Sequence, residues 1–181
     1  NANFTATGGT SANAKTLTLG GTNTADNIIN GIIPNNAAGG TVNLAKGGPG
    51  TWVLAGANAF TGTVTISNGV LKLKANAATS TILGGNAITF NASNVYAGGR
   101  LELVGQTGTN NVQTLGTLTV TQGANTVKLS PGAGGGTASI VFGGISIPAT
   151  TAAGGSVNFD VPAGSNSITL GGATPGNILS T

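Results

Sequence analysis

Few side chains in this sequence could catalyse a reaction or bind a metal ion. The 181 residues include no histidine and no cysteine, and the acidic residues are Asp26, Glu102 and Asp160. Histidine is the usual general base and belongs to most nucleophilic triads, and thiolate chemistry requires cysteine. The many serine and threonine hydroxyls therefore lack the group that would activate them as nucleophiles.

Paired carboxylates are the remaining route to acid–base catalysis. A glycosidase-type pair needs two carboxyl groups about 5 to 9.5 Å apart, but the acids are separated by 76 residues (102 minus 26) and 58 residues (160 minus 102). Calcium also prefers several oxygen ligands with carboxylates among them, so we interpret Asp26 and Asp160 as turn or surface residues. The sequence predicts no catalytic, cofactor-binding or metal-binding residue, no cofactor and no small-molecule substrate. We expect a protein that is not an enzyme.

The basic residues do not form a cluster in the sequence. They are Lys15, Lys46, Lys72, Lys74, Arg100 and Lys128, and they give a formal net charge of +3. Nucleic-acid binding usually requires clustered lysine and arginine that neutralise several phosphates together. We therefore predict no nucleic-acid partner.

Short segments of strand-type alternation recur along the chain, with apolar residues on one face and threonine, lysine or asparagine on the other. They lie at 16–19, 41–44, 51–54, 63–66, 70–73, 87–90, 100–103, 117–120, 126–129, 139–142, 144–147, 156–159 and 167–170. Joints rich in glycine and asparagine separate them, such as Gly39-Gly40 and Asn68-Gly69. Such joints supply the positive φ angles of tight turns. Helical periodicity is absent, so the pattern indicates an all-β protein.

Regular short strands with turn residues fit a sandwich, a barrel or a β-solenoid. Abundant threonine and asparagine allow ladders of like side chains between successive coils, and small aliphatic residues suit a thin apolar core. We predict a single-stranded right-handed parallel β-helix (a β-solenoid), with roughly seven to nine coils of about 20 to 25 residues. It would form one continuous domain over residues 1–181. A β-sandwich is the alternative, and it predicts a few long strands.

Residues 46–73 combine glycine, threonine and aromatic residues at a distinctive spacing. The pattern consists of Lys46, Gly48, Gly50, Thr51, Trp52, Leu54, Gly56, Asn58, Phe60, Thr61, Gly62, Thr65, Ile66, Gly69, Leu71 and Leu73. This segment resembles the autotransporter-associated β-strand repeat, also called the passenger-associated repeat. It departs from the pattern at Thr63-Val64, where a Gly-Thr pair is usual. The resemblance implies a surface-exposed or secreted β-helical segment, extracellular or at the bacterial outer-membrane surface.

Two functions are compatible with these features. The first is a structural subunit or segment of a cell-surface filament, stalk or coat that stacks end to end. Its partners are copies of itself, head to tail, or neighbouring repeats of a longer chain. Residues 1–13 and 171–181 contain no charged or amphipathic cap, and an uncapped solenoid end can recruit another strand.

The second compatible function is that of a monomeric autotransporter-type adhesin passenger that binds a glycan or host protein along a flat Thr/Asn face. The adhesin hypothesis predicts an exposed aromatic or charged patch.

Overall fold

The computed structural model describes residues 13–36, 38–76, 81–148 and 154–171. These stretches contain strands and turns, and none of them includes a helix long and apolar enough to span a membrane. The strands are β1 (Lys15–Leu19), β2 (Asp26–Ile29), β3 (Val42–Lys46), β4 (Thr51–Leu54), β5 (Val64–Ile66), β6 (Gly69–Lys74), β7 (Ile88–Asn91), β8 (Gly99–Val104), β9 (Asn110–Ser130), β10 (Thr137–Ser146), β11 (Gly155–Asp160) and β12 (Ser167–Leu170).

The strands pair in parallel and build two sheets. Sheet one contains β1, β3, β5, β7, the middle of β9 and the end of β10. Sheet two contains β2, β4, β6, β8, the end of β9 and β11. Each turn of the chain adds one strand to each sheet, which is the topology of a β-solenoid. The start of β9 also pairs with β10, and β10 with β12, so the last coils have a third side. The predicted parallel β-solenoid is confirmed, whereas a sandwich would need antiparallel sheets.

The solenoid has fewer and longer coils than the seven to nine expected. Sheet two contains six rungs with five turns between them. Residues in register on neighbouring rungs are separated by 19 positions between Thr51 and Val70 (70 minus 51) and by 32 between Gly123 and Gly155 (155 minus 123). Long connections, such as the one from β10 to β11, lengthen several coils beyond the assumed length and reduce their number.

The core is a narrow apolar column between the sheets. In sheet two, one series of residues in register is at most 5% exposed: Ile29, Leu54, Leu73, Leu103 and Leu129. Sheet one contributes a matching buried series: Leu44, Val64, Ile88 and Leu118. Burying one such aliphatic side chain contributes roughly 1.5 to 3 kcal/mol, so the hydrophobic stabilisation is spread along the axis.

The two ends of the chain were expected to lack caps. Most of this prediction concerns residues 1–12 and 172–181, which lie outside the described residues. The single continuous domain over residues 1–181 also stays a prediction. In the described stretches between those ends, the buried apolar residues form a cluster that follows the rungs.

Candidate functional site

Seven of the nine charged residues lie on the outer face of sheet two, which we call the charged face. Side chains alternate between the two faces of a strand, and leucines such as Leu73 and Leu103 take the inner positions. The alternate, outer positions of sheet two hold Asp26, Lys72, Lys74, Arg100, Glu102, Lys128 and Asp160. Charges that are scattered in the sequence are therefore brought together by the winding of the chain.

A ladder of alternating charge runs along this face. Lys72, Glu102, Lys128 and Asp160 occupy four successive rungs in register, with rungs about 4.8 Å apart. Lys128 Nζ lies 2.9 Å from Asp160 Oδ2, and Arg100 Nε lies 3.8 Å from Glu102 Oε2. The Lys128–Asp160 pair is partly exposed, and such pairs contribute only about 0 to 1 kcal/mol each, so this pair adds little to stability.

One ion pair of the charged face spans a whole rung. Lys72 Nζ contacts Asp26 Oδ1 at 2.8 Å, although the two residues belong to the third and first rungs of sheet two. Val53 occupies the rung between them, in register with Lys72, and it is only 1% exposed despite its outer position. The methylene stem of a lysine can cover apolar surface while its ammonium stays polar. The Lys72 side chain therefore crosses the rung that contains Val53.

Glu102 lies at the centre of the charged face and is only 7% exposed. Its Oε1 accepts a hydrogen bond from Ser130 Oγ at 2.6 Å, and the residues in register with it on both sides are Lys72 and Lys128. Among the described residues its ion-pair partner is Arg100 at 3.8 Å, whereas Lys72 pairs with Asp26 and Lys128 pairs with Asp160.

The three acidic residues lie on different rungs of the charged face. Asp26, Glu102 and Asp160 lie in the first, fourth and sixth rungs of sheet two. With rungs about 4.8 Å apart, the successive separations along the axis are about 14 Å and about 10 Å. Within the described stretches no group of three or more His, Cys, Asp or Glu residues could hold a metal ion.

The outer face of sheet one is uncharged, and we call it the threonine face. Thr65, Thr89, Thr119 and Ser146 stand in register on successive rungs. This is the ladder of like side chains that the composition predicted. The two sheets thus present two chemically different surfaces, one with mixed charge and one with hydroxyl and methyl groups.

Lys46 of the repeat segment is buried in the core. It is in register with Leu19 and Ile66 and is 1% exposed. Its Nζ donates hydrogen bonds to the carbonyl oxygens of Gly47 (2.8 Å), Gly48 (2.8 Å) and Asn68 (3.0 Å). Burial removes the ammonium from water and lowers the pKa of Lys46 below its ordinary value of 10.5. Sequence reasoning matched Lys46 to the repeat but missed its burial, although Val42, Leu44 and Lys46 share one strand face.

Gly69 leaves room for the ammonium of Lys46. Its φ is +67°, a region that other residues rarely adopt. A Cβ atom there would lie 2.5 Å from the carbonyl oxygens of Gly48 and Gly50 and 2.8 Å from Lys46 Nζ. The lysine and these glycines of the repeat are therefore one packing unit.

Two other repeat residues join successive coils. Asn58 Oδ1 accepts a hydrogen bond from the Ile33 amide at 3.0 Å, and Asn58 Nδ2 donates to the Ile82 carbonyl at 3.1 Å. Trp52 is half-buried against the core, and its indole N–H donates to the Gly20 carbonyl at 2.7 Å. Both side chains are used in packing, as is the buried Phe60.

Among the described aromatic residues, one is almost fully exposed to solvent. Tyr96 is 94% exposed in the connection between β7 and β8. Asn94 Oδ1 accepts hydrogen bonds from the amides of Tyr96 and Ala97, at 2.9 Å each, and so shapes this turn. The adhesin hypothesis predicts an exposed aromatic or charged patch; Tyr96 is a single exposed aromatic residue, and the charged face groups seven charged residues.

Comparison with known proteins agrees with the resemblance found in the sequence. The passenger-associated-transport-repeat family matches residues 44–73. The adhesin BmaC autotransporter of Brucella suis biovar 1 (strain 1330) is 50% identical over 60 residues, which is 33% of this chain and 2% of that protein. No solved structure matches the chain. The chain therefore carries a passenger-associated-transport repeat within a β-solenoid, and it spans a small fraction of the relative's length.

Proposed function

We propose that the chain is a segment of an extracellular, autotransporter-type adhesin passenger and acts there as a rigid, non-enzymatic stalk. The observation that carries the proposal is the pairing at the terminal rungs. Among the described strands, β1 and β2 pair only with the following rung, and β11 and β12 only with the preceding one. A strand edge accepts further strands, so residues outside the described stretches, or neighbouring repeats of a longer chain, can continue both sheets.

The proposed location is the bacterial cell surface or the space outside it. Support comes from the repeat at residues 44–73 and from the relative that is named an adhesin autotransporter. A nucleic-acid partner is not part of the proposal, because four cations on the charged face share it with three acids. A surface on which basic and acidic side chains alternate cannot neutralise a row of phosphates.

Head-to-tail stacking of separate copies is the second candidate, since the same open edges would allow it. A contact that does not close on itself produces an open filament. Sedimentation velocity and negative-stain electron microscopy of the purified chain over a hundredfold concentration range distinguish the two. A passenger segment gives short particles of constant length, whereas particles that lengthen with concentration would overturn the stalk proposal in favour of a filament.

We include a glycan contact in the proposal, and it can be assigned to a face. A glycan array is probed with the unmodified chain, with Tyr96→Ala and with Lys74→Ala. Thr89→Arg places a bulky cation on the threonine face and serves as the comparison. If only one variant loses glycan binding, the glycan contact lies at the position of that substitution. An unmodified chain that binds no glycan on the array would contradict this part of the proposal.

A further inference from the structure

The carbonyl cage around Lys46 has the properties of a built binding site. Its three oxygens belong to Gly47 and Gly48 after β3 and to Asn68 after β5, so they come from two successive coils. An ammonium group has three N–H donors, and each finds one oxygen at 2.8 to 3.0 Å. The site thus satisfies every donor of one primary ammonium.

No carboxylate takes part in this site. None of the ion pairs between described residues includes Lys46, and the acids lie on the charged face. A buried charge without a counter-charge must be compensated by hydrogen bonds and dipoles. The carbonyl dipoles of the cage offset part of the cost of burying the ammonium, and they are held by a turn that contains Gly48 at φ +69° and by Gly69 at φ +67°.

We propose that the carbonyls of Gly47, Gly48 and Asn68 form a binding site for a primary ammonium group. Lys46 fills the site in the native chain, and a free alkylammonium ion fills it when the lysine side chain is cut back. The site links one coil to the next through a bound cation. This inference is independent of the adhesin proposal, because it concerns how consecutive coils are held.

The cage should discriminate among cations by shape. Three oxygens that converge on one nitrogen match the three N–H bonds of a primary ammonium, whereas tetramethylammonium has no donor. The planar guanidinium of arginine spreads its donors in one plane. The site should therefore prefer primary ammonium to tetramethylammonium and should not accept arginine in place of Lys46.

Chemical rescue tests the proposal. Lys46→Ala removes Cγ, Cδ, Cε and Nζ, which together correspond to n-propylammonium. The thermal midpoint of this variant is measured in n-propylammonium chloride and in tetramethylammonium chloride at equal ionic strength, with Lys74→Ala on the charged face as the matched control. A ligand that binds only the folded state raises the midpoint with concentration.

We expect n-propylammonium, and not tetramethylammonium, to raise the midpoint of Lys46→Ala, and we expect neither salt to act selectively on Lys74→Ala. An equal response to both salts, or an equal response of both variants, would overturn the proposal. If Lys46→Ala does not fold in either salt, the unmodified chain decides. Its Lys46 ammonium should give a separate, slowly exchanging ¹H–¹⁵N signal, and exchange as fast as that of Lys74 would refute the site.

Discussion

At the residue scale, the interior contains polar side chains where the backbone supplies their partners. Gln113 is fully buried, and its Oε1 accepts hydrogen bonds from the amides of Ile82 (2.8 Å) and Leu83 (3.3 Å). Its Nε2 donates to the carbonyls of Leu83 (2.7 Å) and Thr114 (2.9 Å). Like Lys46 and Asn58, Gln113 forms hydrogen bonds with backbone groups of irregular segments at a corner of the solenoid. Buried polar groups with full partners specify one arrangement of the chain.

Gln113→Leu tests this role of the amide. The substitution keeps an apolar side chain in the corner but leaves the amides of Ile82 and Leu83 without their acceptor, at a cost of about 1 to 3 kcal/mol per buried group. Urea unfolding should show a lower free energy of unfolding. Thr114→Ala, at the adjacent exposed position, should change it little, and equal effects of the two variants would contradict the role.

The lowered pKa of Lys46 predicts a pH dependence with a definite sign. In the unfolded chain the amine has its ordinary pKa of 10.5, and in the folded chain the pKa is lower because burial removes water from the ammonium. Between the folded value and 10.5 the unfolded state binds more protons, so the free energy of unfolding rises with pH. Measured relative to Lys46→Met, the chain should gain stability as the pH approaches 10.5. A relative loss over that window would refute the assignment.

At the element scale, period-two alternation located most strands, because their inner positions are apolar. The segments expected at 51–54, 100–103 and 167–170 coincide with β4, β8 and β12 or lie within them. β2 was missed, since it begins with Asp26 and leaves Ile28 47% exposed. The start of β9 was missed because its pattern is inverted: polar Asn111 and Gln113 point inward while Val112 is 48% exposed. Hydrophobicity cannot reveal a strand whose inner face is held by hydrogen bonds.

The inner faces of β4 and β6 can be tested by charge. Leu54 and Leu71 are fully buried, and an aspartate at either position would place an unpaired carboxylate in a thin core. We expect Leu54→Asp and Leu71→Asp to destabilise the chain by roughly 3 kcal/mol or more. Circular dichroism during thermal unfolding measures the loss. Thr89→Asp on the threonine face should unfold close to the unmodified chain, and soluble, natively folded leucine variants would contradict the inward assignment.

At the scale of the whole molecule, two faces of one rod differ in electrostatics. The repeat motif at 46–73 and the solenoid were predictable, because both depend on local spacing. The charged face was not, since Lys72 and Glu102 are 30 positions apart (102 minus 72) and meet only through the register of β6 with β8. That register is set by the coil lengths, which vary between 19 and 32 residues. The coil lengths depend on the loops between strands, and the loop sequences show no periodic pattern.

The ladder of alternating charge predicts that the order of the charges along the rungs affects the free energy of unfolding more than their number does. Lys128→Glu would place three acidic side chains on successive rungs, and like charges directly opposite one another are destabilising. We expect a loss of about 0.2 to 1 kcal/mol, discounted for exposure. Adding Asp160→Lys again places opposite charges at positions 128 and 160. It should recover part of the lost free energy of unfolding, which a double-mutant cycle in urea measures.

A change of salt concentration tests the same coupling. Because salt screens exposed charges over about 10 Å at 0.1 M, the coupling energy between positions 128 and 160 should decrease in 1 M sodium chloride. Additive effects at low salt would show that the ladder is not a coupled unit.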